Sequence, residues 1–179
     1  VRISSEQAQI FVDTELTAKQ GDLFGASFML PSGYELVSVA GPAVEDWYSR
    51  QALRGQRLDV NFRKAVKNTK LALTLTKTQP DLADFNVPAV TAVNQDGTPI
   101  INQTGRVAVQ MNNATDAQTI SSENLTSIEP QAVQSFLDQS QIQMVRFAYE
   151  RTAPDFSLKL QITPKPTRIR TEITAGITI

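Results

Sequence analysis

The residues able to do chemistry in this sequence are few, and the clearest of them come as acid pairs. Glu45 and Asp46 precede Trp47 and Tyr48, and Asp81 and Asp84 sit in "PDLADF". Two carboxyl groups roughly 5–10 Å apart are the apparatus of glycoside hydrolysis, one serving as acid and the other as base or nucleophile. The plainer reading of both pairs is solvated loop acids. The chain has no histidine and no cysteine, which removes thiol catalysis, disulfides, Cys/His zinc sites and histidine-based triads. Ser27 and Ser38 stand among small residues but lack a nucleophile-elbow pattern, and only a lysine is left to serve a serine as base. Asp96 in "NQDG" lacks the spaced oxygen ligands of a calcium loop. Asn102, Asn113 and Asn124 open N-x-T sequons, weak signals in a chain rich in both residue types. The expectation is therefore no catalytic residue, no metal and no cofactor.

Binding residues are easier to nominate. Trp47 and Tyr48 are adjacent flat aromatics, as a sugar-stacking platform requires, yet such platforms use several aromatics and this chain is 7% aromatic. The structural alternative makes Trp47 a buried plug at one end of a β-sandwich. From Arg50 to Lys77 there are eight Lys/Arg (50, 54, 57, 63, 64, 67, 70, 77) against one acid, Asp59. Arg63, Lys64, Lys67 and Lys70 would form a polyanion contact if they gather on one exposed turn. Against nucleic acid stands the overall balance, a net charge of -1, and the lack of interleaved aromatics. The plainer reading is a solvated hairpin that complements the acidic segments on either side.

The elements that must carry these residues follow a period of two. Ala8, Ile10, Val12, Leu16 and Ala18 alternate with mainly polar neighbours, giving a long strand with one buried face. "KQGD" turns it into "LFGASFML", and "YELVSV" follows. "RLDVNF" and "KLALTLTK" read as a hairpin, with Leu71, Leu73 and Leu75 on one face. "RVAVQM" and "AQTI" flank a polar loop and read as another. Asp-Gly at 96–97 marks a further turn. "SIEPQAVQSFLDQSQ" breaks the pattern: Ile128, Val133, Phe136 and Leu137 have near-helical spacing, and Pro130 suits a first turn, which predicts one short helix near 130–138. "IQMVRFAYE", "FSLKLQITP" and "RIRTEITAGITI" complete the series. About a dozen strands with no βαβ alternation predict an all-β, mainly antiparallel, β-sandwich-like fold. The 179 residues suit a single module, with two intimate halves split near 78–93 as the alternative. No apolar run approaches the roughly 20 residues of a transmembrane helix.

Two stretches, "FMLPSGYELVSVAGPAVEDW" and "RLDVNFRKAVKNTKLALTLT", together with "GRVAVQ" and "VRFAYERTAPDFSLKLQITPKP", resemble a module of large uncharacterised bacterial envelope proteins. The resemblance implies repeated β modules outside the cytoplasm and brings no catalytic residues. The start at Val1 rather than at a methionine suggests a processed chain or an excised piece. "TELTA" at Thr14–Ala18 recurs as "TEITA" at Thr171–Ala175, the echo expected of a tandem array. The function expected is a non-enzymatic, extracytoplasmic structural or interaction module whose partners are neighbouring modules or another protein. The alternatives are glycan or polyanion binding through Trp47/Tyr48 or the Arg54–Lys70 surface, and last a carboxylate-dependent glycosidase.

Overall fold

The structure, a computed structural model, describes residues 1–52, 55–112 and 114–165. The expected strand at 168–179, and with it the echo of Thr14–Ala18, lies outside them, as do Arg54 and Asn113. Among the described residues the chain runs β1 (Arg2–Ile3), β2 (Gln7–Thr17), β3 (Leu23–Leu30), β4 (Glu35–Ala40), β5 (Val44–Ala52), β6 (Gly55–Val66) and β7 (Asn68–Thr78). It continues β8 (Phe85–Asn86), β9 (Thr91–Val93), β10 (Gly105–Met111), β11 (Thr115–Glu123), β12 (Leu125–Ser127), β13 (Val145–Arg151) and β14 (Ser157–Pro164). The fold is all-β and sandwich-like, as the alternation predicts.

The strands make a seven-stranded sheet ordered β12-β13-β10-β1-β2-β7-β4, a four-stranded sheet β5-β6-β3-β9 and a three-stranded sheet β11-β14-β8. Pairing is antiparallel except where β1 lies parallel to β10. One apolar cluster draws on all three sheets: Leu71, Leu73 and Leu75 from the first, Leu58 and Val60 from the second, Leu158 and Leu160 from the third, each at most 2% exposed. Burying these aliphatic side chains stabilises the layers by about 1.5–3 kcal/mol apiece.

The expected hairpins are corrected. β2 and β3, β6 and β7, and β10 and β11 follow one another closely but belong to different sheets. Alternation tells which face of a strand is buried; it does not tell which of two facing sheets the strand joins, because both present an apolar inner face. The β6–β7 corner shows how the crossing is made. The register of β3 against β6 jumps from Gly25↔Asn61 to Leu23↔Val66, so β6 bends out of its sheet over its last residues, and Lys67 alone links it to β7.

The helix is also displaced. Pro130–Val133 forms a single 3-10 turn, and the α-helix, α1, is Gln139–Gln143. Asp138 is its N-cap: its Oδ1 accepts from Gln141 N at 2.8 Å, and Gln141 Oε1 accepts from Asp138 N at 3.0 Å. The capping box "DQSQ" was the sequence signal for this start. Val133 is fully buried against β10 and β13, but Phe136 is left 38% exposed.

Candidate functional site

Strand β6 carries a polar cluster on the face opposite Leu58 and Val60. Arg57 and Asp59 share that face because they are two residues apart on a strand, and Ser27 of β3 is the register partner of Asp59. Asp59 Oδ1 accepts from Ser27 Oγ at 2.6 Å and from Arg57 Nε at 2.8 Å. Arg57 also donates to Ser27 Oγ at 2.9 Å and to the Gln95 carbonyl at 2.7 Å. Arg50 on β5 approaches the other carboxylate oxygen, Oδ2, at 3.2 Å; that oxygen has an ion pair but no aligned hydrogen bond. Burial on its own would push the Asp59 carboxyl up, but the Ser27 hydroxyl and the Arg57 and Arg50 charges outweigh it and hold the group below its ordinary value. A serine bonded to such a carboxylate has a poor base beside it. The cluster is built to fix β3, β5 and β6 in place.

This cluster forms part of one wall of a cleft of about 1370 Å³. The cleft is lined by consecutive residues, 10–17 of β2, 22–28 around β3 and 102–108 leading into β10. A wall made by a strand's face would expose every second residue. Unbroken runs mean that strand edges form much of the boundary. Its formal charges cancel: Arg50, Arg57, Arg106 and Arg151 against Asp13, Glu15, Asp22 and Asp59. Phe11, Phe24, Tyr48, Ile100 and Phe136 all reach it while more than a third exposed. Arg151, half-buried, donates to Gln103 Oε1 at 3.1 Å and lies 6.0 Å from the centre of the Phe156 ring.

The residues nominated from sequence do not gather here. Trp47 is 40% exposed, which corrects the buried plug. Its register partner Val60 is a core residue, but β5 is an edge strand with β6 on one side only, and every residue from 45 to 51 is exposed. Tyr48, 50% exposed, lines the cleft; Trp47 does not. The two aromatics alternate to opposite faces of β5, so they make no common platform. Arg63, Lys64, Lys67 and Lys70 are all exposed at the β6–β7 corner, apart from the cleft. Lys67 pairs with Asp22 at 3.2 Å and donates to the Gly21 carbonyl at 2.8 Å. They flank a sheet-to-sheet corner rather than a hairpin turn.

Three of the four paired acids have structural partners. Asp81 accepts from the backbone of Ala83 and Asp84 at 3.0 and 3.3 Å, while Asp84 pairs with Lys159 at 2.9 Å. Asp46 accepts from Asn61 at 2.7 Å. Tyr34, close to Asp81 and Asp84 around a smaller recess, has its hydroxyl pushed up to about 12 by burial. Asp96 closes its own turn, accepting from Thr98 Oγ1 at 2.7 Å and Thr98 N at 2.9 Å. Among the described residues no three acids gather to hold a metal ion, and no helix is long and apolar enough to cross a membrane. Sequence reading passed over the Ser27–Arg57–Asp59 cluster. The signal was present in "RLDVNF", where Arg57 and Asp59 form an i, i+2 pair of opposite charges on the polar row of an alternating strand.

Comparison with family models, curated proteins and solved structures gives no match for this chain.

Proposed function

We propose that this chain is a non-enzymatic interaction module that holds a partner in its cleft. The observation that carries this reading is the placing of exposed apolar side chains. Of the nine large hydrophobics exposed among the described residues, five (Phe11, Phe24, Tyr48, Ile100 and Phe136) line this cleft. Exposed apolar groups gathered in a concavity with polar surroundings mark interaction surfaces. The cleft's balanced charge favours a partner without strong charge and sets it apart from the basic corner at Arg63–Lys70. Its place in a larger extracytoplasmic protein of the cell envelope rests on the sequence resemblance alone.

The test uses peptide and glycan arrays probed with the wild-type chain and with a Phe24→Ser/Phe136→Ser variant. Phe24 is 73% exposed but Phe136 only 38%, so the variant is expected to lose about 1–2 kcal/mol, mostly at Phe136, and to stay folded at the assay temperature, as circular dichroism checks. A ligand class held by the wild type and lost by the variant supports the reading. No variant-sensitive ligand on either array, or turnover of chromogenic glycosides or esters, overturns it.

A further inference from the structure

Strand β5 ends the four-stranded sheet. It has β6 on one side and, among the described residues, no strand on the other. At nine residues it is a long edge. An open edge of this length pairs with other strands unless its side chains prevent it, so the side chains of β5 decide which strand can join it.

The free backbone groups can be assigned. Arg63 N donates to the Ala43 carbonyl, so odd-numbered residues of β6 turn their N–H and C=O towards β5. β6 holds no extra residue on this side; the bulge between Val44 and Asp46 belongs to β5. The β5 partners of Asn61, Asp59 and Arg57 are Asp46, Tyr48 and Arg50, and these three bond towards β6. Alternation then turns the backbone of Trp47, Ser49 and Gln51 outward. Side chains keep the face of their register partners. Asp46, Tyr48 and Arg50 lie on the side of Arg57 and Asp59, while Trp47 and Ser49 lie on the side of the core residues Val60 and Leu58.

The stretch "DWYSR" at Asp46–Arg50 is complementary to itself when reversed. A second copy of β5, laid antiparallel along this edge, must set outward-facing residues against outward-facing residues. With a twofold axis on Tyr48, each Trp47 lies opposite Ser49 of the other copy, and the two exchange both backbone bonds. Tyr48 then meets Tyr48, and each Asp46 meets an Arg50. These are the pairs without backbone bonds, in which Cα atoms stand only about 4.5 Å apart and side chains come closest. Both charged groups have capacity left. Asp46 accepts from Asn61 through Oδ1 alone, and the terminal nitrogens of Arg50 donate no hydrogen bond among the described residues. An axis on Trp47 or Ser49 also suits the backbone but takes Asp46 away from Arg50. An axis on Asp46 or Arg50 sets like charges opposite each other, which is unfavourable. β11, the other nine-residue edge, carries only acids, Asp116 and Glu123, and has no such register.

We propose that β5 is a self-association edge: two copies of this chain pair antiparallel through β5 about a twofold axis at Tyr48, joining two four-stranded sheets into one of eight. Charges on an edge keep unrelated strands away; here their order admits a second copy in one register. The pairing also covers Trp47, which is 40% exposed in the single chain. On the inner face the two Trp47 side chains become diagonal neighbours across the new ladder, within reach of each other. The contact is isologous, so it closes at two copies. Tyr48 and Arg50 also line the cleft, so the dimer brings two clefts together at the axis, whatever each of them holds.

The experiment sediments the full chain from micromolar to millimolar concentration, with amide hydrogen exchange and Trp47 emission read at both ends of the range. The dilute chain is expected to be monomeric, with fast exchange at Trp47 and Ser49 and emission towards the red. The concentrated chain is expected to be dimeric, with those two amides slowed at least about ten-fold and emission moved to the blue. Asp46→Arg and Arg50→Asp each set like charges opposite each other, and each weakens dimerisation by at least about ten-fold. Mixed in equal amounts they form a heterodimer, because two arginines of one chain then face two aspartates of the other. Ser49→Pro removes an outward N–H that β6 does not use, and an exposed hydrogen bond from Gln56; it should give a folded monomer, as circular dichroism checks. The proposal is overturned if the wild type stays monomeric at millimolar concentration, if Ser49→Pro dimerises as the wild type does, or if the Trp47 and Ser49 amides are already slow in the dilute monomer. It is also overturned if the two folded charge variants fail to associate on mixing. Should Arg50→Asp not fold, Asp46→Arg and Ser49→Pro decide the matter: dimers as tight as the wild type's in either one sink it.

Discussion

Arg57 and Asp59, two residues apart on β6, lie side by side with Nε 2.8 Å from Oδ1, each only 7% exposed. A buried ion pair is costly to break from one side, because the remaining charge stays out of water. Asp59→Ala is expected to destabilise the fold by about 3–5 kcal/mol, read from chemical denaturation. Replacing the exposed partner Arg50 by alanine should cost about 1 kcal/mol or less.

The same pair sets an acid dependence. The folded carboxyl of Asp59 lies below its ordinary value of 3.8. Its contribution is therefore complete above that value and lost as pH falls through the lower, folded one. Melting temperature should decline below about pH 4, and the Asp59→Asn variant should show a shallower decline over that range. Equal slopes for the two proteins would remove Asp59 as the source.

Trp47 gives the next expectation. Truncating a fully buried tryptophan costs about 3–5 kcal/mol; on the edge strand β5, with 40% of the residue in water, Trp47→Ala should cost about 1–2 kcal/mol. As the chain's only tryptophan, it should emit towards the red and be readily quenched by acrylamide.

Gly41, the last residue of the "VSVAG" run, is fixed by space. A Cβ there would stand 2.5 Å from the Lys70 carbonyl oxygen and 2.8 Å from Leu71 Cδ2. Neither backbone nor core side chain yields cheaply, so Gly41→Ala should destabilise by about 1–3 kcal/mol, measured as a fall in denaturation midpoint. Gly97→Ala makes no such contact, and its cost comes from a φ of 84° alone.

Reversing the charges of Arg63, Lys64, Lys67 and Lys70 together should change stability by only about 1 kcal/mol, since the Lys67–Asp22 pair is exposed. The same variant checks the polyanion alternative on a heparin column. Retention of the wild type at physiological salt, lost on reversal, would establish a second contact surface at the β6–β7 corner.

What the sequence revealed was the alternation. Leu71, Leu73 and Leu75 are placed on one face by their spacing alone, and all three are core. Partners were a different matter. "RLDVNF" and "KLALTLTK" show two amphipathic strands joined by a basic stretch, and nothing in their pattern distinguishes a hairpin from a step between sheets. β5 was missed because an edge strand with Glu45, Asp46 and Arg50 exposed shows no apolar period. The cleft was beyond reach for a related reason: it is made where pairing stops, and pairing partners lie far apart along the chain.

The crossing of consecutive strands between sheets also governs how the chain must acquire its shape. β1 can meet the start of β2 at once, at Arg2↔Gln9 and Ile3↔Ala8, but the long ladder of β2 forms only when β7 exists, from Gln7↔Thr78 to Thr17↔Asn68, and the other edge of β1 must wait for β10, joining Arg2 to Gln110. Among the described residues, the only long strands adjacent in sequence that pair with each other are β5 and β6, which can zip together locally from Ala52↔Gly55 back to Val44↔Phe62. Closing such distant contacts comes before they repay the lost chain entropy, which places folding on the millisecond-to-second scale of non-local β proteins. A nascent chain released only as far as β6 holds β2 and β4 without a long partner, and their apolar rows are open to any other strand in the same condition. Synthesis through β7 is thus the step that gives both β2 and β4 a long partner, with β10, β12 and β13 of the same sheet still to come.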